Sequence, residues 1–569
     1  MIISLEELKK LLIDNNLIDE VTFDEVSKEA KKLNLNILEI LFSKRLLDKE
    51  FYANILSNYL KVKRINLKNL SIPNKVLRII PEKIAIDKKV IPFKEEGEIL
   101  HVAMADPTDY ETINLLSNIT HKKIEPYLVL EDEIRFGLTF YQNIYKEEYE
   151  ESLKKEISKI ESGIELNEEI QNISAIKIVN NLLSYAVGLN ASDIHIEIFY
   201  EYSLIRFRID GILREIMKLP KIIHSSLIAR IKILSNLQID ERFRPQDGRF
   251  KTKIGDFEFD IRVSIIPTLY GEKAVLRLLA STFRPTSLSD LGLNENHENL
   301  IKKALKKSYG MIISTGPTGS GKTTTLYTIL QLLNSPEVNI CTIEDPIEYE
   351  LPRINQMQVN PKINLTFAEG LRSLLRQDPN IIMVGEIRDY ETADIAVQAS
   401  LTGHLILSTL HTNDAISSIP RLLDLNIPKY LIASTLSVVI AQRLVRKICL
   451  NCIYSSELKN YQLETIKEQL IRDGLSLEEV NNYNIPKYVF KGRGCDLCNQ
   501  SGYYGRTGIF EIFFIDDELA DYLAKKDFNI VEFKMLLKNK NYITMFRDGL
   551  DKLSVGVTTL EEILRVIRE

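Results

Sequence analysis

The segment Gly316-Pro317-Thr318-Gly319-Ser320-Gly321-Lys322-Thr323 constrains this 569-residue chain more than any other. It follows the apolar run Met311-Ile312-Ile313 and opens into Thr323-Thr324-Thr325-Leu326-Tyr327, so it reads as strand, glycine-rich loop and helix. Glycines at that spacing let the backbone curl until its N–H groups face a phosphate, and the helix N-terminus adds positive potential. Lys322 then supplies a mobile charge to the β- and γ-phosphates of ATP, and Thr323 a hydroxyl for Mg²⁺. Residues 316–324 are the expected phosphate cradle. Apolar runs at 311–315, 338–343, 381–384 and 405–410 alternate with helical stretches, which implies a buried, mostly parallel sheet.

Ligands bind beyond the carboxyl ends of strands in such a sheet, so the acids placed there matter. The run Asn339-Ile340-Cys341-Thr342-Ile343 delivers Glu344-Asp345-Pro346-Ile347-Glu348. The run Ile381-Ile382-Met383-Val384 ends in Gly385-Glu386-Ile387-Arg388-Asp389, with Glu386 where a Walker B motif usually has Asp. Solvated strand-end acids are common, but two clusters after a P-loop point to phosphate chemistry. Glu386 is a second expected Mg²⁺ ligand beside Thr323, and either Glu348 or Glu386 can activate water. His404 and His411 bracket the last run, and a pair so placed is expected to sense or shuttle charge near the γ-phosphate.

Outside this core, residues 1–60 read as helical with a weak repeat. Leu11-Leu12-Ile13 and Leu17-Ile18-Asp19 recur 29 residues on as Ile40-Leu41-Phe42 and Leu46-Leu47-Asp48. Residues 70–140 read as α+β, with strands at 89–93 and 99–104 around a turn at 94–98. A charged linker follows, and then a second α+β block with strands at 204–209 and 257–263.

The last region, mostly helical, carries four of the five cysteines as Cys449-Leu450-Asn451-Cys452 and Cys495-Asp496-Leu497-Cys498. Two CxxC pairs fit a structural Zn²⁺ site, whereas Cys341 lies in a strand and reads as core. A net charge of −6 gives no overall positive field to gather nucleic acid. The N-terminus lacks the basic and apolar regions of a signal peptide, and the longest apolar stretch, 430–445, is interrupted by polar residues. No direct membrane span is expected, and the location is expected to be cytoplasmic.

The segments Thr342–Tyr349, Arg376-Gln377-Asp378-Pro379 through Asp389, and Leu401-Thr402-Gly403-His404 through Asn413 resemble the Asp box, Walker B and His box of the secretion ATPases. These are the hexameric ATPases of type II secretion and type IV pilus assembly, the GspE/PilB group. Ala191–Glu197, Arg206–Gly211, Pro245–Arg249 and Asp260–Ser264 resemble that family's second N-terminal domain, which closes over the nucleotide. The resemblance implies that Arg262 and Arg277 reach the phosphates on closure. It also agrees with zinc on the four cysteines. Departures from the family pattern are Ile198 for Pro, Arg353 and Asn364 for Gly, and Asn380 for Asp.

The implied architecture is multidomain α/β. An N-terminal adaptor spans 1–145, a charged linker 146–172, and a nucleotide-closing, PAS-like α+β domain 173–285. A RecA-like P-loop core spans 286–445, a tetracysteine zinc subdomain 446–510, and a C-terminal helical region 511–569. The implied partners are five further copies in a homohexamer and an inner-membrane platform protein that holds the chain at the membrane. Some family members bind cyclic di-GMP through an Arg-Leu-Gly start and a later Gly. Here Glu7-Leu8-Lys9 and Asn36-Ile37-Leu38 stand at those starts and Asn16 and Arg45 at the glycine positions, which argues against that ligand. Two other readings are a nucleic-acid-dependent P-loop ATPase, which would need a basic stripe, and a scaffold that binds ATP without turnover.

Overall fold

The computed structural model describes residues 3–568 apart from 34–35, 45, 68–69, 71, 132, 135, 139, 142–157, 159–167, 255–256, 281–286, 496–497 and 526–528. Most of the expected 146–172 linker lies outside the described residues, and the helix Glu168–Gly188 begins within its last part. Contacts group Asp48–Phe283 into one compact unit and Ile3–Leu47 with Arg284–Glu569 into another.

In the first unit, β1 (Lys63–Arg64), β2 (Val90–Glu96), β3 (Ile99–Met104) and β4 (Lys123–Leu128) form a sheet of order β1-β4-β3-β2. The turn expected at 94–98 is shorter. β2 continues to Glu96, which stands opposite Ile99, and Gly97 turns the chain at φ +60°. The charged run misled the reading because its side chains find polar partners across the sheet: Glu95 pairs with Lys122 at 2.8 Å and Glu96 with His101 at 3.3 Å.

A second sheet is antiparallel throughout. It contains β5 (Ala191–Ile198), β6 (Tyr202–Ile209), β7 (Ile212–Pro220), β8 (Gln246–Ile254), β9 (Phe257–Thr268) and β10 (Gly271–Ala280), in the order β7-β6-β5-β10-β9-β8. Phe207, Ile261 and Leu276 on one face pack with Ile178 and Leu182 of Glu168–Gly188 and Ile231 of His224–Leu234. Period-two alternation leaves the opposite face for charged side chains.

In the second unit the N-terminal residues form the helices Leu5–Asp14, Glu20–Leu33 and Ile37–Ser43. The sequence repeat is a repeated helix start: Asp19 accepts the Thr22 N–H at 2.8 Å, and Asp48 accepts the Phe51 N–H at 2.9 Å. Asn16, at one expected glycine position, has φ +53°. Arg45, at the other, lies outside the described residues.

Among the described residues this unit's main sheet has seven strands: β11 (Gly310–Thr315), β12 (Ile340–Glu344), β13 (Ile354–Gln358), β14 (Ile381–Val384), β15 (Leu405–Leu410), β16 (Leu436–Ile448) and β19 (Tyr503–Phe514). Their order is β13-β12-β14-β15-β11-β16-β19. Every neighbouring pair is parallel except β16 and β19. Strands β11, β12, β14 and β15 are buried on both faces, which is why they read as unbroken apolar runs. The apolar stretch at 430–445 divides between the helix Lys429–Thr435 and buried β16. No helix among the described residues is long and apolar enough to cross a membrane.

The C-terminal region is rich in helix, from Asn460–Arg472 to Leu560–Arg568, and also holds the hairpin of β17 (Ile453–Glu457) with β18 (Tyr488–Gly492). β16 runs through the boundary expected at 445 and β19 through that at 510, because their pairing extends one sheet toward the cysteines.

A buried carboxylate ties the last helix to β16. Glu562 accepts the Arg446 N–H at 3.1 Å and its guanidinium at 2.7 Å, and Arg565 adds two contacts at 3.0 Å. Burial opposes ionisation of Glu562, yet the two arginines outweigh it and hold its carboxyl down at about 2. A carboxylate depressed below its unfolded value of about 4.3 adds stability above that value and loses it as pH falls toward the folded one. Arg446→Met should therefore lower the thermal midpoint at neutral pH and weaken the stability loss between about pH 5 and 2. The cost should fall below the roughly 3–5 kcal/mol of a fully orphaned buried charge, because Arg565 remains. Thermal melts of both proteins across that range check it; equal midpoints at pH 7 would refute the role given to Arg446.

Candidate active site and metal centre

Beyond Thr315 the chain turns through Gly316 (φ +141°), Gly319 (φ +79°) and Gly321 (φ +92°) before the helix Lys322–Leu333 begins. A Cβ at 316 would stand 2.5 Å from the Gln442 carbonyl oxygen, and one at 321 would stand 2.7 Å from its Nε2. Gln442, on β16, also accepts the Thr325 hydroxyl at 2.6 Å, so one buried side chain backs the loop and its helix. Lys322 is buried, and its Nζ donates to the carbonyl oxygens of Gly316 and Pro317 at 2.7 and 3.0 Å. Burial lowers its pKa, and the charge of Glu386 opposes that. The Ser320 hydroxyl is buried without a hydrogen-bond partner. A curled backbone, an ammonium and an unused hydroxyl fit a phosphate group, and Thr323 and Thr324 at the helix start remain partly exposed.

Because β11, β12, β14 and β15 are parallel, their carboxyl ends bring 316–321, 345–348, 385–389 and 411–414 to one edge of the sheet. Glu386 is mostly buried there and meets Arg388 at 2.5 Å and His411 at 3.1 Å. Asp345 adds to the field that keeps Arg388 charged, after Glu386 itself. The donor set of Thr323 hydroxyl and Glu386 carboxylate is the hard-oxygen type that Mg²⁺ takes. Glu348 is half-buried, and its N–H donates to the Tyr327 hydroxyl at 3.3 Å. Thr412 N–H donates to the Thr315 hydroxyl at 3.0 Å, fastening the segment after His411 to the strand that leads into the loop.

His404 does not join this group. It precedes β15, so about 20 Å of strand separates it from His411 and the phosphate loop. Its Nδ1 lies 3.0 Å from the Ala399 carbonyl oxygen at the end of the helix Tyr390–Leu401. Sequence adjacency to a strand leaves open which end of the sheet a residue occupies; the parallel arrangement decides it.

Arg262 and Arg277 belong to the other unit. Antiparallel register aligns Arg249, Arg262, Arg277, Asp193 and Arg208 in one row across β8, β9, β10, β5 and β6. Asp193 meets Arg277 at 3.0 Å and Arg208 at 3.5 Å, so one buried carboxylate holds two of the four guanidiniums of the row. Guanidiniums aligned in a row are suited to a polyanion. Arg249 and Arg208 were not singled out in the sequence, although both fall within quoted motifs.

The four cysteines converge. All their Sγ atoms lie within 4.8 Å of one another, with Cys449–Cys495 at 3.8 Å, Cys452–Cys498 at 3.9 Å and Cys495–Cys498 at 3.7 Å. Thiolates about 2.3 Å from a tetrahedral zinc stand about 3.8 Å apart, so the spacing fits that ion. Backbone N–H groups of Gly494 and Gly502 point at Cys452 and Cys498 at 3.3 and 3.2 Å, the donors thiolates require. Cys341 is buried in β12, as expected.

Tyr327, Gln356, Gln442 and Glu511 went unnoticed in the sequence because each sits inside an apolar or alternating run. Glu511 accepts the N–H groups of Ala415 and Met545 at 3.0 and 3.3 Å, and burial, then the charge of Asp414, pushes its carboxyl up to about 7.

Residues 168–565 match the family model for type II/IV secretion system proteins, and residues 60–143 match the MshEN domain. The type IV pilus assembly ATPase PilB of Myxococcus xanthus is 38% identical over 98% of this chain and 98% of its own. The type II secretion system protein E of Dickeya dadantii is 47% identical over 69% of this chain and 76% of its own. Among solved structures, the ATPase DotB of Legionella pneumophila shares the fold, with a TM-score of 0.50 at 24% identity over 68% of this chain and 95% of that one.

The cysteine geometry makes a direct claim. Elemental analysis should return one zinc per chain, and Cys495→Ser should lose it and melt at lower temperature. Absence of zinc, or an unchanged midpoint in that variant, would remove the metal from the account.

Proposed function

The chain belongs to the type II/IV secretion system protein family, and from that membership we propose a motor ATPase that powers assembly of a type IV pilus or a type II secretion pseudopilus. The observation that carries this reading is the meeting of Lys322, Glu386 and the Glu348 segment at one edge of a parallel sheet. It occurs in a chain similar end to end to a pilus assembly ATPase. The N–H groups of 318–321 and Lys322 bind the β- and γ-phosphates of ATP. Thr323 and Glu386 would hold Mg²⁺, which would supply neutralisation of charge on the transferring group. Glu348 or Glu386 orients a water for attack on the γ-phosphorus and takes its proton, while the bond to the bridging oxygen breaks and ADP leaves.

Arg262 and Arg277 are read as closing on the phosphates, so that their charge counts mainly in the transition state. The working assembly is a homohexamer, cytoplasmic, and held at the inner membrane by a platform protein. Residues 1–145 are read as the module that docks there. Nucleic acid has no place in this reading, since the arginine row is confined to one sheet face of a chain whose net charge is −6.

Turnover measurements test the proposal. Lys322→Ala should reduce ATP hydrolysis by roughly 10²-fold or more, and Glu386→Gln should bind ATP yet hydrolyse it slowly. Near-normal hydrolysis by Lys322→Ala would reject the motor assignment.

For the closing arginines the expectation is a split: Arg277→Ala should depress kcat more than nucleotide affinity. A raised dissociation constant at unchanged kcat would reject closure.

A further inference from the structure

Tyr327 lies one and a half turns beyond Lys322 on the helix that leaves the phosphate loop, and it is fully buried. A buried tyrosine hydroxyl needs partners, and this one has three: on β12, on β13 and on the segment between them. It donates to Glu344 Oε2 at the end of β12, and it accepts the Glu348 N–H at 3.3 Å and the Gln356 amide at 3.4 Å. Glu344 is itself buried and is satisfied on its other oxygen by Thr342 at 2.5 Å and Gln356 at 3.1 Å.

The same frame grips the segment after Glu348. Gln356 donates to the Tyr349 carbonyl at 3.1 Å and accepts the Leu351 N–H at 2.7 Å. The Tyr349 ring stands edge-on to Tyr327, with centroids 4.6 Å apart. Residues 348–351 are thus fixed to the phosphate-binding helix and to β12–β13 by buried polar groups. Such a network rigidifies what it holds, and a mispaired member is costly.

We propose that Tyr327 is a positioning residue for ATP hydrolysis: its hydroxyl registers the Glu348 segment against the helix that carries Lys322. A shift of that helix on phosphate binding is then passed to the Glu348 main chain through the Tyr327 hydroxyl. The claim rests on the ATPase reading and adds to it a residue that touches no substrate.

Its test is a pair of variants. Tyr327→Phe keeps the ring and deletes the hydroxyl, which also removes a donor from the buried Glu344. Adding Glu344→Gln removes the charge left short of a donor, so the double variant should regain the lost thermal stability. If the hydroxyl positions the Glu348 segment, kcat falls by about 10- to 100-fold in both variants, the scale of a misplaced reacting group. The KM for ATP and the dissociation constant for ADP should stay within about twofold of wild type, because the phosphate loop is intact. A near-normal kcat in Tyr327→Phe overturns the proposal, as does recovery of kcat in the double variant or a KM that rises as far as kcat falls. Should the single variant not fold, the kcat of the double variant decides alone. Wild-type protein without ATPase activity would sink the functional reading itself, whereas normal wild-type turnover with a normal Tyr327→Phe would sink only this inference.

Discussion

A backbone that wraps a phosphate must turn its amide hydrogens inward over several successive residues. That conformation needs positive φ at positions where a side chain would also collide with the wall behind. Gly316 and Gly321 meet both demands, since each has positive φ and each has Gln442 within reach of any Cβ. The rest of the second unit serves this constraint. Strand β11 must be buried on both faces to aim the loop, which requires β15 and β16 beside it and helices above and below. The loop's electrostatic character then follows from Lys322, drawn into its own carbonyls and facing the charge of Glu386.

How far the sequence could be read depended on whether a residue's job is local. Strands 381–384 and 405–410 were legible to the residue because burial on both faces writes an unbroken apolar run. The phosphate loop was legible because its chemistry lies in consecutive residues. The four cysteines converge as their spacing implied, although 42 residues of hairpin and helix intervene. β13 and β19 were missed. Strand β13 is short and half-exposed, and β19, without its partner, is indistinguishable from the end of a helical region.

Side chains that act across the fold carried no signal. Tyr327 and Gln442 are one helix or strand position among many until the sheet brings their partners close. His404 shows the opposite error, where a suggestive neighbour in sequence lies at the far end of the strand. The departures at Arg353 and Asn364 are informative too. Their backbones keep positive φ, at 60° and 57°, so the turn is retained without the residue that favours it. The helix starts at Asp19 and Asp48 similarly preserve a duplicated design through a weak repeat.

β16 joins two places described separately above. Its residue Gln442 backs the phosphate loop, and Cys449, the first thiolate of the metal cluster, follows its last residue. From Gln442 to Cys449, seven residues on at about 3.3 Å each, a hydrogen-bonded strand reaches about 23 Å. Such a strand flexes and twists but scarcely shortens. Mechanically that half of β16 is a strut between the wall behind the phosphate loop and the four cysteines. Displacement at the loop would arrive at the cysteine knuckle as movement and not be absorbed on the way. Loosening the cysteine cluster would leave the strand behind the loop held by its sheet neighbours alone.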